Sequence, residues 1–387
     1  MIRDVDPALM QKIRRYGKGG RLQVESCFQC GNCTAVCPLA QDSAGFPRRV
    51  IRMAQVGMER ELLASEDLWR CYACGECTAT CPRAADPAEF MAAARSYAIS
   101  RYDFTGLASL ASRSVLGNLL VFAGLSLFFA LLLLSRATPS SAHLPFFDFV
   151  PGEWVHAIGV ALFVVVGLSM VAGLASMILR FLSERRREGV PLRAGALPAA
   201  MASAILEALS HQRFRQCNAE EPAPAAQPWY LRPWVVHLSV MGGFLAMLLA
   251  TTLDYLLKPI GSPVPPWYPM RVLGAAGGLI CLYGLAIMLF RAEPEDEAHW
   301  RKRTFAEWFF PVLLAVTVLT GLSAEILVYL PMTPAGHAVF IVHVVLAMDL
   351  VAMLPLTRFA HVLYRPLALA LFAWRHAPER QAAAAEA

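Results

Sequence analysis

Six stretches of this chain are apolar for long enough to cross about 30 Å of hydrocarbon, which takes roughly 20 helical residues. They lie near 115–135, 155–181, 234–257, 271–290, 307–330 and 337–363. Lipid offers no hydrogen bonds to backbone, so continuous apolar runs of this length must satisfy their own N–H and C=O groups as helices. An all-α fold is predicted. Composition agrees, since 57% of residues are hydrophobic and 16% charged, against about 25% charged in an ordinary soluble domain. Apolar residues are sparse before about residue 114. The expected organisation is a polar domain over 1–112, a six-helix membrane domain over 113–365 with a long polar loop at 182–233, and a tail over 366–387.

Basic residues orient the bundle. The loop after the second segment carries Arg180, Arg185, Arg186, Arg187, Arg193, Arg213, Arg215 and Arg232; the loop after the fourth carries Arg301, Lys302 and Arg303; the tail carries Arg365, Arg375 and Arg380. The loop at 331–336 has no Lys or Arg, and none falls between Arg136 and Trp154. Both termini and the long loop are therefore expected in the cytoplasm, with the chain a multi-pass protein of the cytoplasmic (inner) membrane. The start, Met1 to Asp6, leads into charged sequence and does not read as a secretory signal. The formal charge of +5 reflects this topology and points to no nucleic-acid partner.

Within the long loop, Leu197–Cys217 reads as an amphipathic helix, with Met201, Ile205, Leu206 and Leu209 opposite Glu207, Arg213 and Arg215. Two placements fit it: along the membrane surface, or docked on the N-terminal domain. Glu221–Pro228 reads as a linker, and 381–387 as a disordered end.

Eight of ten cysteines fall in two runs, Cys27-Phe-Gln-Cys30-Gly-Asn-Cys33-Thr-Ala-Val-Cys37-Pro38 and Cys71-Tyr-Ala-Cys74-Gly-Glu-Cys77-Thr-Ala-Thr-Cys81-Pro82; Cys217 and Cys281 stand apart. Each run matches the pattern in which three thiolates bind one [4Fe-4S] cluster and the fourth reaches the other. Cys27, Cys30, Cys33 and Cys81 are assigned to one cluster, and Cys71, Cys74, Cys77 and Cys37 to the second. Zinc sites take four ligands, commonly as two pairs, rather than two repeats of four, and disulfide frameworks rarely cluster so tightly. The intervening Pro47-Arg-Arg-Val-Ile-Arg-Met-Ala is helix-like, which favours a helical dicluster ferredoxin-like domain.

Ionisable residues inside a membrane are costly and mark function. His237 lies near the start of the third segment, and His343 and His361 fall in the sixth. On one continuous helix their 18-residue spacing is five turns, about 27 Å along the axis. That spacing suits two stacked b haems. His237 and His361 form the first ligand pair, at the cytoplasmic level. His343 belongs to the outer level, with His156 as its partner candidate and Met247 as a thioether alternative; Asp254 marks the outer end of the third helix. The competing readings are an interfacial role for His156 and ordinary packing for Met247. His143, His337 and His376 are expected to bind nothing.

The runs containing Cys27-Phe-Gln-Cys30-Gly-Asn-Cys33-Thr and Trp69-Arg-Cys71 resemble the iron-sulfur C subunit of heterodisulfide reductases. The segments Trp234-Val-Val-His237, His343-Val-Val-Leu-Ala-Met and Leu354-Pro-Leu-Thr-Arg358-Phe-Ala-His361 resemble the cytochrome b E subunit and, more distantly, the gamma subunit of respiratory nitrate reductase. A fusion of the two is similar to the C subunit of the quinone-interacting membrane-bound oxidoreductase. That resemblance implies a membrane bundle of cytochrome b type, menaquinone or ubiquinone as exchangeable partner, two flavin and iron-sulfur subunits (A- and B-like) in the cytoplasm, and adenylylsulfate reductase beyond them. Met247 departs from the nitrate reductase pattern, which has a second His there, so the number of haems stays open between one and two. The chain is also similar to the tricarballylate-utilisation B subunit, another dicluster and six-helix fusion.

No glycine-rich dinucleotide fingerprint follows a strand, so the expectation is an electron-transfer subunit without its own soluble-substrate site. A membrane anchor whose clusters meet quinone directly, without haem, is the main rival. A redox sensor would need an output domain, and a transporter would show broken-helix repeats.

Overall fold

The computed structural model describes residues 5–17, 20, 22–43, 45–138, 146–189, 192–216, 228–257, 264–290, 305–330 and 334–377. There is no strand among them, and the fold is all-α. The linker residues 221–227, the end 381–387, His143, Cys217, Arg380 and the basic group 301–303 lie outside the described residues.

The N-terminal part comprises α1 (Leu9–Arg14), α2 (Arg48–Gln55), α3 (Glu59–Ala64), α4 (Pro87–Tyr102) and α5 (Leu107–Arg113). Helix α4 starts where the Asp86 carboxylate accepts from the Glu89 amide at 3.1 Å and Pro87 occupies the first turn, a position that needs no N–H. Leu9, Ile13, Ile51, Leu62 and Phe90 form its core, all fully buried. That core does not end at the membrane domain: it runs on through Trp69 and Tyr102 to Met177, Phe181, Met353, Tyr364 and Leu371. The Trp69 and Tyr364 rings lie 4.9 Å apart. The two parts therefore share one apolar interior.

Six helices are long and apolar enough to span a membrane: α6 (Val115–Leu134), α7 (Gly152–Glu188), α9 (Pro233–Leu257), α10 (Pro269–Phe290), α11 (Phe305–Leu327) and α12 (Pro334–Ala352), with α8 (Leu197–Ser210) between α7 and α9. Helix α12 is the central one, since half of its apolar window is buried against 17–28% for the others. Helices α9 and α10 approach backbone to backbone at Gly243 and Gly277. A Cβ on Gly243 would lie 2.5 Å from the Gly277 carbonyl and 2.7 Å from the Cys281 amide. Helix α7 extends about two turns past the expected end at 181, and its end meets the N-terminal domain, where Arg60 Nε binds Glu184 at 3.2 Å.

The sixth segment differs from expectation. Instead of one helix over 337–363, α12 stops at Ala352, a turn and a short 3-10 helix (Arg358–Ala360) follow, and a separate α13 runs from His361 to Arg375. Pro355 is the cause: it offers no N–H, and the residue before it is pushed out of helical geometry. Thr357 then caps the new start, its hydroxyl accepting from the Phe359 amide. His343 and His361 therefore sit on different helices, and the spacing of five turns along a single axis does not describe them.

Helix α8 docks with one face and leaves the other open. Ala200 and Ala204 are buried, Ala204 against Leu369 and Ala370 of α13, while Met201, Ile205, Leu206 and Leu209 are exposed.

Candidate functional site

The two cysteine runs have the same backbone. In each, the residue before the second cysteine (Gln29, Ala73) and the glycine after it (Gly31, Gly75) are left-handed, and a one-turn helix follows (Asn32–Ala35, Glu76–Ala79). These reversals curl each loop, and Gly at φ 92° and 84° adopts the left-handed conformation at no steric cost. The two one-turn helices pack together, with Asn32 Nδ2 donating to the Thr80 carbonyl at 2.5 Å.

Among the described residues no disulfide joins any of these eight cysteines; Cys33 is buried and Cys30 exposed. Burial pushes Cys33 up first, and then its neighbours Cys27, Cys30 and Cys81 do the same. Cys37 is pushed up to about 12, chiefly by burial and then by Cys71 and Cys74 despite amide bonds that oppose the shift. Cys77 is raised in the same way by burial, then by Cys71, Cys74 and Cys37. Two neighbourhoods emerge: Cys27, Cys30 and Cys81 about Cys33, and Cys71, Cys74 and Cys37 about Cys77. Thiols so buried and crowded can ionise together only around a cation. Among the described residues no three His, Cys, Asp or Glu converge closely enough to hold one metal ion. Thiols set around the corners of a cubane are farther apart than ligands round a single ion, so the donor set fits clusters better than zinc.

From Cys71 a run of side chains leads into the membrane domain. Arg365, one turn past His361, donates from Nη1 to the Cys71 carbonyl at 3.2 Å and from Nη2 to the Arg70 carbonyl at 3.0 Å, and its guanidinium lies 3.6 Å from the Tyr72 ring centre. Tyr72 donates to Glu207 of α8 at 2.5 Å and stacks on Phe214, with centroids 4.9 Å apart and planes 6° from parallel. Phe214 meets His237 edge-on at 6.4 Å. His237 in turn faces His361 across 6.3 Å.

The ring nitrogens of the histidine pair are informative. His361 Nδ1 is 2.8 Å from the Arg358 carbonyl, which can only accept, so Nδ1 carries the proton and Nε2 keeps its lone pair. His237 Nδ1 is 2.9 Å from His211 Nε2. The 6.3 Å between ring centres is what two metal–imidazole bonds of about 2 Å each and two half-rings would fill. The pair could therefore hold one metal between them. His211 and Phe214 were not among the residues singled out from sequence. Both fall inside the stretch 197–217 that reads as one amphipathic helix, which the structure instead ends at Ser210 with His211 in left-handed backbone (φ 53°). Burial, with Arg365 and Arg215 adding to it, holds His211 below the ordinary imidazole range.

The other candidates are separate. His343 Nδ1 donates to the Thr317 carbonyl at 3.0 Å, and its ring lies against Gly321, where any side chain would collide. His156 packs on Tyr255 at 4.9 Å. Among the described residues no contact joins His156 to His343. Met247 packs with the Cys281–Leu285 cluster. His337, expected in a loop or at a helix end, is buried in the first turn of α12 with its ring stacked on Phe149 at 4.5 Å. His376 caps its own helix through Phe372.

Residues 23–85 match the family of 4Fe-4S dicluster domains. Over 66 residues the chain is 35% identical to the C subunit of the H(2):CoB-CoM heterodisulfide,ferredoxin reductase of Methanothermobacter marburgensis, covering 17% of this chain and 34% of the relative. It is 38% identical over 48 residues to the iron-sulfur C subunit of the CoB–CoM heterodisulfide reductase of Methanopyrus kandleri, covering 12% and 25%. With the C2 subunit of the H(2)/formate:CoB-CoM heterodisulfide,ferredoxin reductase of Methanococcus maripaludis, identity is 43% over 47 residues, again covering 12% and 25%. The chain thus spans about a third or less of the length of these curated relatives. Its N-terminal part is an iron-sulfur domain like that of the heterodisulfide reductase C subunits, joined to six long apolar helices.

Proposed function

We propose that the chain is the membrane electron-transfer subunit of a quinone-interacting oxidoreductase complex, linking membrane quinone to cytoplasmic flavin and iron-sulfur subunits. The observation that carries this reading is the unbroken run of contacts from Cys71 through Tyr72 and Phe214 to the His237–His361 pair. It joins thiols suited to clusters with imidazoles suited to a b haem.

Cys27, Cys30, Cys33 and Cys81 would hold one [4Fe-4S] cluster, and Cys71, Cys74, Cys77 and Cys37 the other. His237 and His361 would hold one b haem, with His343 the candidate ligand of a second and His156 its partner candidate. When bound, these groups supply reversible one-electron carriers. The chain's own residues fix the loops, hold His361 in one tautomer through the Arg358 carbonyl, and bind the Cys71 loop to α13 through Arg365. The exposed Cys30 and Phe28 mark the face from which electrons would pass to or from a partner.

The arginine distribution supports a cytoplasmic placement of residues 1–112, the loop 182–233 and the tail, in the cytoplasmic membrane. Resemblance to the C subunit of the quinone-interacting oxidoreductase supports A- and B-like partners and a link to adenylylsulfate reductase. A second reading rests on the 35–43% identity of the dicluster part to heterodisulfide reductase subunits: the same conduit would then serve a reductase of that kind.

The test uses the detergent-purified chain and a menaquinol analogue. Quinol should bring up the absorbance bands of reduced haem and then the EPR signals of reduced clusters. Intact haem and clusters that quinol leaves oxidised would remove the quinone link.

A further inference from the structure

The His237–His361 pair is met from the polar side by a third imidazole that belongs to neither membrane helix. His211 is 5% exposed, its ring centre is 4.9 Å from that of His237, and its Nε2 is 2.9 Å from His237 Nδ1. It occupies the left-handed position just past the end of α8, where the backbone turns out of the helix. Gly or Asn normally fills such a site, so a histidine held there with its side chain turned inward calls for a reason. Its ring is also bracketed by Phe214 at 6.3 Å. The helix that delivers it packs through Ala204 on Leu369 and Ala370 of α13, the helix that begins with His361.

We propose that His211 is the positioning residue for His237, fixing its tautomer and ring orientation by hydrogen bond and thereby setting the reduction potential of the group bound by His237 and His361. This rests on the haem reading given above. With Nε2 of His237 as the ligating atom, its neutral ring carries the proton on Nδ1 and donates it to the His211 Nε2 lone pair. His211 must then carry its own proton on Nδ1. An acceptor on the far nitrogen makes the ligating nitrogen more basic, which favours the oxidised metal and lowers the potential. The arrangement also ties the potential to the seating of α8. Any movement of the loop 192–216 would alter the hydrogen bond without touching a ligand.

The experiment compares His211→Ala, His211→Gln, Leu206→Ala and His237→Ala in the whole chain, measuring haem stoichiometry, low-spin spectrum and midpoint potential. His211→Ala should keep a full complement of low-spin haem with a raised midpoint. His211→Gln, whose amide oxygen can still accept, should move the midpoint back towards wild type. Leu206→Ala, on the exposed face of α8 and in neither the ligand pair nor the run of contacts, should leave the midpoint unchanged. Unchanged potential in His211→Ala would reduce His211 to packing and overturn the proposal; so would loss of haem from both His211→Ala and His211→Gln, which would make His211 a ligand. Full haem retention in His237→Ala is a different failure, since it removes the haem assignment itself.

Discussion

Arg365 is the place where the two halves of the candidate conduit can be separated by one substitution. In Arg365→Leu, the Cys71 loop loses the donors at 3.2 and 3.0 Å from the Cys71 and Arg70 carbonyls and the cation over Tyr72 at 3.6 Å. Hydrogen bonds from a charged donor contribute about 1.5 kcal/mol each at the low end appropriate to a half-buried site, and the cation over the ring about 1 kcal/mol. Together that is about 4 kcal/mol of local docking, or between two and three factors of ten in the opening of the loop. Arg95 still donates to the Cys71 carbonyl at 3.2 Å, and Trp69 still packs against Tyr364, so the fold as a whole should survive. Amide hydrogen exchange across residues 70–74 should accelerate by roughly 10²–10³-fold, and a chelator should take iron from the Cys71 cluster before the Cys27 cluster. Arg365→Lys keeps the charge but cannot fork to two carbonyls, and should fall between. Unchanged exchange in Arg365→Leu, with iron lost equally from both clusters, would refute the reasoning.

Other consequences are open to direct measurement. Cys81→Ser should perturb the cluster ligated from the first run and Cys37→Ser that of the second, a crossed pattern readable by EPR, while both variants still insert in the membrane. His343→Ala should leave intact the haem held by His237 and His361, because His343 is held by α11 through Thr317; redox-difference spectra should lose a second haem or none. Gly243→Ala puts a Cβ 2.5 Å from the Gly277 carbonyl, and such overpacking costs about 1–3 kcal/mol; a lower melting temperature in detergent is expected, with partial loss of haem because His237 shares that helix. A tag after Ala387 should be reachable only from the cytoplasmic face, as labelling of intact cells against inverted vesicles will report.

The sequence alone determined what depends on local chemistry and chain length. The two thiol runs of four at x2, x2 and x3 spacing match a 4Fe-4S dicluster domain before any packing is known, and the left-handed positions at Gln29, Gly31, Ala73 and Gly75 give both loops the same local course. Six apolar stretches must be helices, because lipid leaves the backbone no other partner. The nearness of His237 and His361 was also legible, although the structure reaches it with His361 opening a helix of its own rather than ending the sixth segment. Hydropathy could not show the interruption at Pro355, since it continues smoothly across a break that depends on one missing N–H. Nor could any pattern find His211 and Phe214. They lie far along the chain from Cys71, inside the stretch 197–217 read as one amphipathic helix, whose periodicity singles out neither of them. Only the packing of α8 on α13, through residues as plain as Ala204 and Ala370, brings them between the cysteines and the membrane histidines, and contacts made across such distances leave no period or spacing in the sequence to read.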